Sequence, residues 1–91
     1  AAKAKIKMPI ETSVAINIEF FFEIPKSWSK KKKEAAGWHT SKPDIDNLIK
    51  GVLDGLNGVA YKDDMQVVNI AARKQYTRSN SGIQIIIEEV F

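Results

Sequence analysis

Cysteine is absent from this 91-residue chain. Its absence excludes disulfides, zinc–thiolate sites and thiol nucleophiles. The single histidine, His39, rules out a histidine-built metal centre. No apolar run approaches the ~20 residues that span a bilayer. No signal peptide is visible either, so the expected setting is the cytoplasm, with no membrane partner. Aspartate is missing from most of the chain. All five, Asp44, Asp46, Asp54, Asp63 and Asp64, fall within residues 43–64.

That block reads P-D-I-D-N-L-I-K-G-V-L-D-G-L-N-G-V-A-Y-K-D-D. Carboxylates brought together repel one another, so a fold that gathers them normally supplies a cation or a proton in return. Mg²⁺ takes oxygen ligands, and one or two carboxylates with substrate phosphates make its usual site. The block points to metal-assisted phosphate chemistry.

Length and composition describe one small domain, residues 1–91. A chain of this size buries only about 60–65% of its unfolded surface, so dimerisation would help it. With 44% hydrophobic and 27% charged residues it is globular rather than disordered. The net charge of +3 conceals a division. Residues 1–42 hold nine lysines against four glutamates, whereas residues 43–91 hold five basic against seven acidic side chains. A basic half beside an acidic centre suits a protein that grips a polyanion and cuts it with metal-bound carboxylates. The plainer reading is that +3 is ordinary for a soluble domain.

Residues 14–24 alternate, with Val14, Ile16, Ile18, Phe20, Phe22 and Ile24 on one face, which predicts a long strand ended by Pro25. A basic connection follows to Pro43, where Ser27 or Ser29 would cap a short helix over residues 30–36. Residues 44–57 form the main helix, with Ile45, Leu48, Ile49, Val52, Leu53 and Leu56 as its apolar face. Asp46, Lys50 and Asp54, each four apart, line one polar stripe. Residues 65–76 form a second strand, a turn follows, and residues 83–90 return as a third in a hairpin. The expected fold is α+β, a mixed, largely antiparallel sheet with one main helix packed on it.

Each motif has a bland competitor. Asp44 and Asp46 could simply cap a helix start, but that leaves Asp63 and Asp64 unexplained. By strand parity Asp64 should point the way the buried row points, and Asp63 away from it. A calcium loop fails, because counting from Asp44 places Ile49 where a Gly is required and Gly55 where a bidentate Glu belongs. Lys50 is either a solvated helix lysine paired with Asp46 or Asp54 or a cation near a scissile phosphate. Lys30, Lys31, Lys32 and Lys33 form either a solvated face or a phosphate-tracking loop. Trp28 and Trp38 are expected to pack, with stacking on a base as the lesser alternative, and His39 to lie on a surface loop.

The stretch K-P-D-I-D-N-L-I-K-G-V-L-D-G-L-N-G-V-A-Y-K-D-D-M-Q-V resembles the RusA family of Holliday-junction resolvases. The resemblance runs from the strand at Val14 through S-W-S-K-K-K-K-E to I-I-I-E-E. It implies that Asp44, Asp46 and Asp64 bind a catalytic Mg²⁺, that Lys50 assists, and that the protein is an intertwined homodimer with two symmetric sites. It also implies that an N-terminal strand and most of a first helix are missing, Ala1-Ala2-Lys3-Ala4-Lys5 looking like the end of that helix. The expected function is Mg²⁺-dependent, structure-selective cleavage of four-way DNA junctions in recombination and repair, with no small-molecule cofactor. Lys30, Lys31, Lys32, Lys33, Arg73, Lys74 and Arg78 are the expected DNA contacts. The alternative is a non-catalytic, basic nucleic-acid-binding dimer whose carboxylates are structural.

Overall fold

Strand β1 (Ser13–Glu23) alternates as its sequence predicts, and Val14, Ile16, Ile18 and Phe20 are all at most 2% exposed. Burying each stabilises the fold by roughly 1.5–3 kcal/mol. These side chains anchor the core of the computed structural model, which describes residues 8–91. The expected missing N-terminal helix concerns residues outside the described range.

After β1 comes helix α1 (Lys30–Glu34), whose start is fixed by Ser29, its Oγ accepting from the Lys32 N–H at 3.2 Å. Helix α2 (Ile45–Leu56) follows, and Leu48, Val52, Leu53 and Leu56 pack against the β1 core. A single 3-10 turn (Asp64–Gln66) leads into strand β2 (Val67–Thr77), and strand β3 is Gly82–Val90. Ile10, Ala60 and Tyr61 close the core beneath α2, with the Ile10 N–H donating to the Ala60 carbonyl at 2.8 Å.

The sheet is mixed, with order β2-β1-β3. Carrying the chain back through α2 returns β2 parallel to β1, whereas β3 pairs antiparallel to β1. The expected hairpin of the second and third strands does not form, since β1 lies between them. As the most apolar strand, β1 gains most from a neighbour on each edge. A second correction concerns parity. A register shift lies between Val14↔Val67 and Ala15↔Asn69, so Val67 takes the inward place and Val68 is the extra residue, 59% exposed. Such a bulge breaks the two-residue alternation, and Asp64 precedes it in a turn, so alternation with Val68 does not fix its direction.

Ile83, Ile85 and Ile87 pair with Phe20, Ile18 and Ile16 and share their face. The helix leaves part of that face open, with Ile83 57% and Ile85 38% exposed. Together with Phe20, Leu48, Val52 and Leu56 they line an apolar groove beside α2. Among the described residues, no helix is long and apolar enough to cross a membrane.

Candidate active site

The connection before α2 is laced to the outer edge of β2. Lys74 Nζ donates to the carbonyls of Ser41 and Pro43, both at 2.6 Å. The Tyr76 N–H donates to the Gly37 carbonyl at 2.8 Å, and the His39 N–H to the Lys74 carbonyl at 3.0 Å. These bonds set the start of α2 beside the second half of β2. Asp44 occupies the N-cap position, yet its side chain makes no capping hydrogen bond. Helix capping therefore does not explain this aspartate. Asp44 and Asp46 are both exposed and line one open hollow with Thr40, Ser41, Arg73 and Lys74.

Of the three other aspartates of the block, Asp63 and Asp64 are engaged by hydrogen bonds. Asp63 Oδ1 accepts from the Met65 N–H at 2.9 Å, capping the 3-10 turn. Gln66 completes the capping box, its Oε1 accepting from the N–H groups of Lys62 and Asp63 at 2.8 Å. The Gln66 Nε2 donates to the carbonyls of Ile10 and Thr12, fastening this turn to the approach of β1. Asp64 Oδ1 accepts from the Tyr61 hydroxyl at 3.0 Å. Tyr61 is fully buried. Burial, the bond to Asp64, and the charges of Asp64 and Asp54 push its hydroxyl up to about 12.

Tyr61 bridges Asn57 just past α2, so Asp64, bonded to Tyr61, follows the Asp54 end of the helix, while Asp44 and Asp46 stand at its start. At 1.5 Å per residue, Asp46 and Asp54 are about 12 Å apart along the axis. Among the described residues, no three His, Asp or Glu side chains come together to hold a metal ion. What one chain does offer is the exposed Asp44/Asp46 pair. Two hard oxygen donors open to solvent fit Mg²⁺, which commonly keeps water and substrate phosphate as its remaining ligands.

Several residues expected to contact DNA also bond within the fold. The Lys74 ammonium, assigned to DNA from sequence, is taken up by two carbonyls. Arg73 Nε lies 3.4 Å from Glu19 Oε2, and Arg78 Nη2 donates to the Lys33 carbonyl at 3.2 Å. Lys30, Lys31 and Lys32 are exposed, and Lys33 is half-buried. Lys50 is exposed too, and it forms no ion pair with Asp46 or Asp54, the described pairs being Lys62–Glu11 and Arg73–Glu19.

His39 is no free surface residue. Its ring stacks on Phe22 at 3.8 Å, and its Nδ1 is buried without a partner. Burial, then the charge of Lys74, holds its pKa below the ordinary value. Tyr61 and Gln66 were missed from sequence. Their signal was only proximity to Asp64, since Y-K-D-D-M-Q does not announce which side chains turn back on the turn.

Comparison with known proteins agrees with the motif. The chain is 42% identical over 83 residues to the uncharacterized protein YqaN of Bacillus subtilis strain 168, covering 85% of this chain and 58% of that protein. It is 37% identical over 91 residues to the crossover junction endodeoxyribonuclease rusA of Lactococcus phage r1t, covering 97% of this chain and 65% of that protein. The chain thus spans less than two thirds of the length of either relative. No solved structure matches it. The family model for endodeoxyribonuclease RusA matches residues 1–88, and by that near-complete match the chain belongs to the RusA endodeoxyribonuclease family.

Proposed function

We propose that this chain carries the catalytic centre of a Mg²⁺-dependent, structure-selective endonuclease that cuts four-way DNA junctions. The observation that carries the reading is the pair of exposed aspartates at the start of α2, one of them in a capping position that it does not use. Family membership and the 37% identity to a phage crossover junction endodeoxyribonuclease support it.

Asp44 and Asp46 would hold the metal from one chain, with Asp64 as the third ligand. When bound, Mg²⁺ neutralises charge on the phosphate and makes a coordinated water more acidic. Lys50, one turn beyond Asp46 and free of carboxylate partners, is close enough to offset phosphate charge. Asp64 is bonded to Tyr61, and no three carboxylates come together among the described residues, so a full donor set calls for Asp64 to move or for a second copy of the chain to supply it. A two-fold homodimer answers both that need and the two equivalent strands of a junction. The apolar groove beside α2 is a surface such a dimer would cover. Lys30, Lys31 and Lys32 would track phosphates, while Lys74 keeps the loop before Asp44 in place.

The test is a labelled synthetic four-way junction incubated with full-length protein, with and without Mg²⁺. Paired nicks near the branch point only when Mg²⁺ is present are the expected result. Tight binding with no cleavage at any Mg²⁺ concentration would instead favour the non-catalytic binding dimer.

A further inference from the structure

Trp38 is 66% exposed, against the expectation that it packs. Its backbone is nevertheless held. It bridges Gln75 on the outer edge of β2, and hydrogen bonds at Gly37 and His39 fix the residues on either side. An indole presented to water from a fixed backbone forgoes the hydrophobic gain of burial. Its surroundings differ from those of Ile83 and Ile85, which continue the apolar groove beside α2. Trp38 lines the hollow that holds Asp44, Asp46 and Arg73. On its other side it lines a second hollow with Trp28, Tyr76 and Lys32, where Lys32 Nζ sits 4.3 Å from the centre of the Trp28 ring. The indole is the wall shared by a carboxylate hollow and an aromatic, cationic one.

We propose that Trp38 stacks on a nucleobase next to the cleaved phosphate, holding one DNA strand across the carboxylate hollow. The inference rests on the nuclease reading above. Every base presents a π-face, so an exposed indole stacks without choosing a sequence. Bases at a branch point are the cheapest to receive, since an unpaired or poorly stacked base costs least to turn out. Lys32, in the aromatic hollow, puts positive charge where a flanking phosphate would run.

The experiment uses a four-way junction carrying 2-aminopurine at the branch point, whose fluorescence reports stacking. It is titrated with full-length protein bearing Asp46→Asn, so that binding is read without cutting. With Trp38 in place the fluorescence changes on saturation. Trp38→Ala abolishes that change and weakens binding by about five- to a hundredfold, while Trp38→Phe, which keeps a π-face, recovers most of both. If Trp38→Ala binds as tightly and gives the same fluorescence response, the inference is overturned and the nuclease reading stands. If Trp38→Ala loses its dimer by sedimentation but keeps the response, Trp38 belongs to a protein interface and the proposal is again overturned. If the Asp46→Asn protein and the wild type both bind no junction, the nuclease reading falls and takes this inference with it.

Discussion

The two ends of α2 carry carboxylates in opposite conditions. At the start, Asp44 and Asp46 are exposed, and Asp44 declines the cap it is placed to make. At the far end, Asp63 and Asp64 are each bonded within the fold, one closing a turn and the other receiving the hydroxyl of a buried tyrosine. A carboxylate that spends its oxygens on its own fold contributes stability. One that keeps them open, where like charge is gathered, has them available to a cation. The difference separates residues of one type, within one short segment, by what each already touches.

The largest effect expected is at the open end. Asp46→Asn should lower junction cleavage by orders of magnitude while junction affinity holds or rises. The melting temperature should move little, since only a helix-start charge worth about 0.3–1 kcal/mol is lost. Unchanged cleavage with a melting drop of several degrees would make both ends structural and dissolve the contrast.

Tyr61→Phe sharpens it at the closed end. Removing the hydroxyl leaves Asp64 without its partner and should cost about 1 kcal/mol. If Asp64 is a ligand, the Mg²⁺ requirement for cleavage should rise by about ten- to a hundredfold. An unchanged Mg²⁺ titration would confine this bond to folding. Because the hydroxyl is pushed up from 10.0 to about 12, its contribution is complete below pH 10 and is lost as pH climbs toward 12. A Tyr61-dependent stability transition near neutrality would contradict the burial.

Asp63→Ala removes the turn cap and should cost about 0.5–2 kcal/mol, read from urea denaturation. Cleavage by the folded fraction should be preserved, and a specific loss of rate at full folding would move Asp63 to the catalytic side. The smallest effect expected is at His39, in the strap that holds the open end. With its pKa depressed by burial and Lys74, its stabilising contribution is whole above about pH 6.5 and shrinks as pH falls below that. Thermal melts from pH 7 to pH 5 should decline, and His39→Phe should flatten the decline. Parallel slopes for the two proteins would show that His39 titrates as it does in the unfolded chain.

Much of this was legible beforehand. Alternation in β1 named its buried row, and the 3.6-residue pattern named the face of α2, because both signals are local. Strand neighbours are not local. The turn after Thr77 reads as a hairpin, yet β2 and β3 flank β1, since alternation says which face is buried and nothing about which edge is paired. Asp64 does turn toward the buried Tyr61 as expected, but parity with Val68 was no ground for it, as that extra residue is set by pairing with β1 and leaves no mark in the sequence. For Trp38, residue type favoured packing over stacking on a base, and the structure leaves the ring exposed. Tryptophan usually packs, and only the position of its backbone on the edge of β2 leaves the ring outside.

The central place of β1 bears on how the protein is made. Its partners on β2 lie more than fifty positions later in the chain, and those on β3 more than sixty. On the ribosome, β1 therefore emerges long before either neighbour and must wait, with its row of isoleucines and phenylalanine uncovered. Helix α2, at twelve residues, is marginal as an isolated helix and cannot shelter that row alone. Nascent chains stalled before β2 has emerged should bind a holdase chaperone through residues 14–22, and release it once β2 and β3 have been synthesised. Crosslinking of stalled chains at increasing length would detect the change, and chains free of chaperone at every length would mean that β1 finds shelter earlier than its pairing implies.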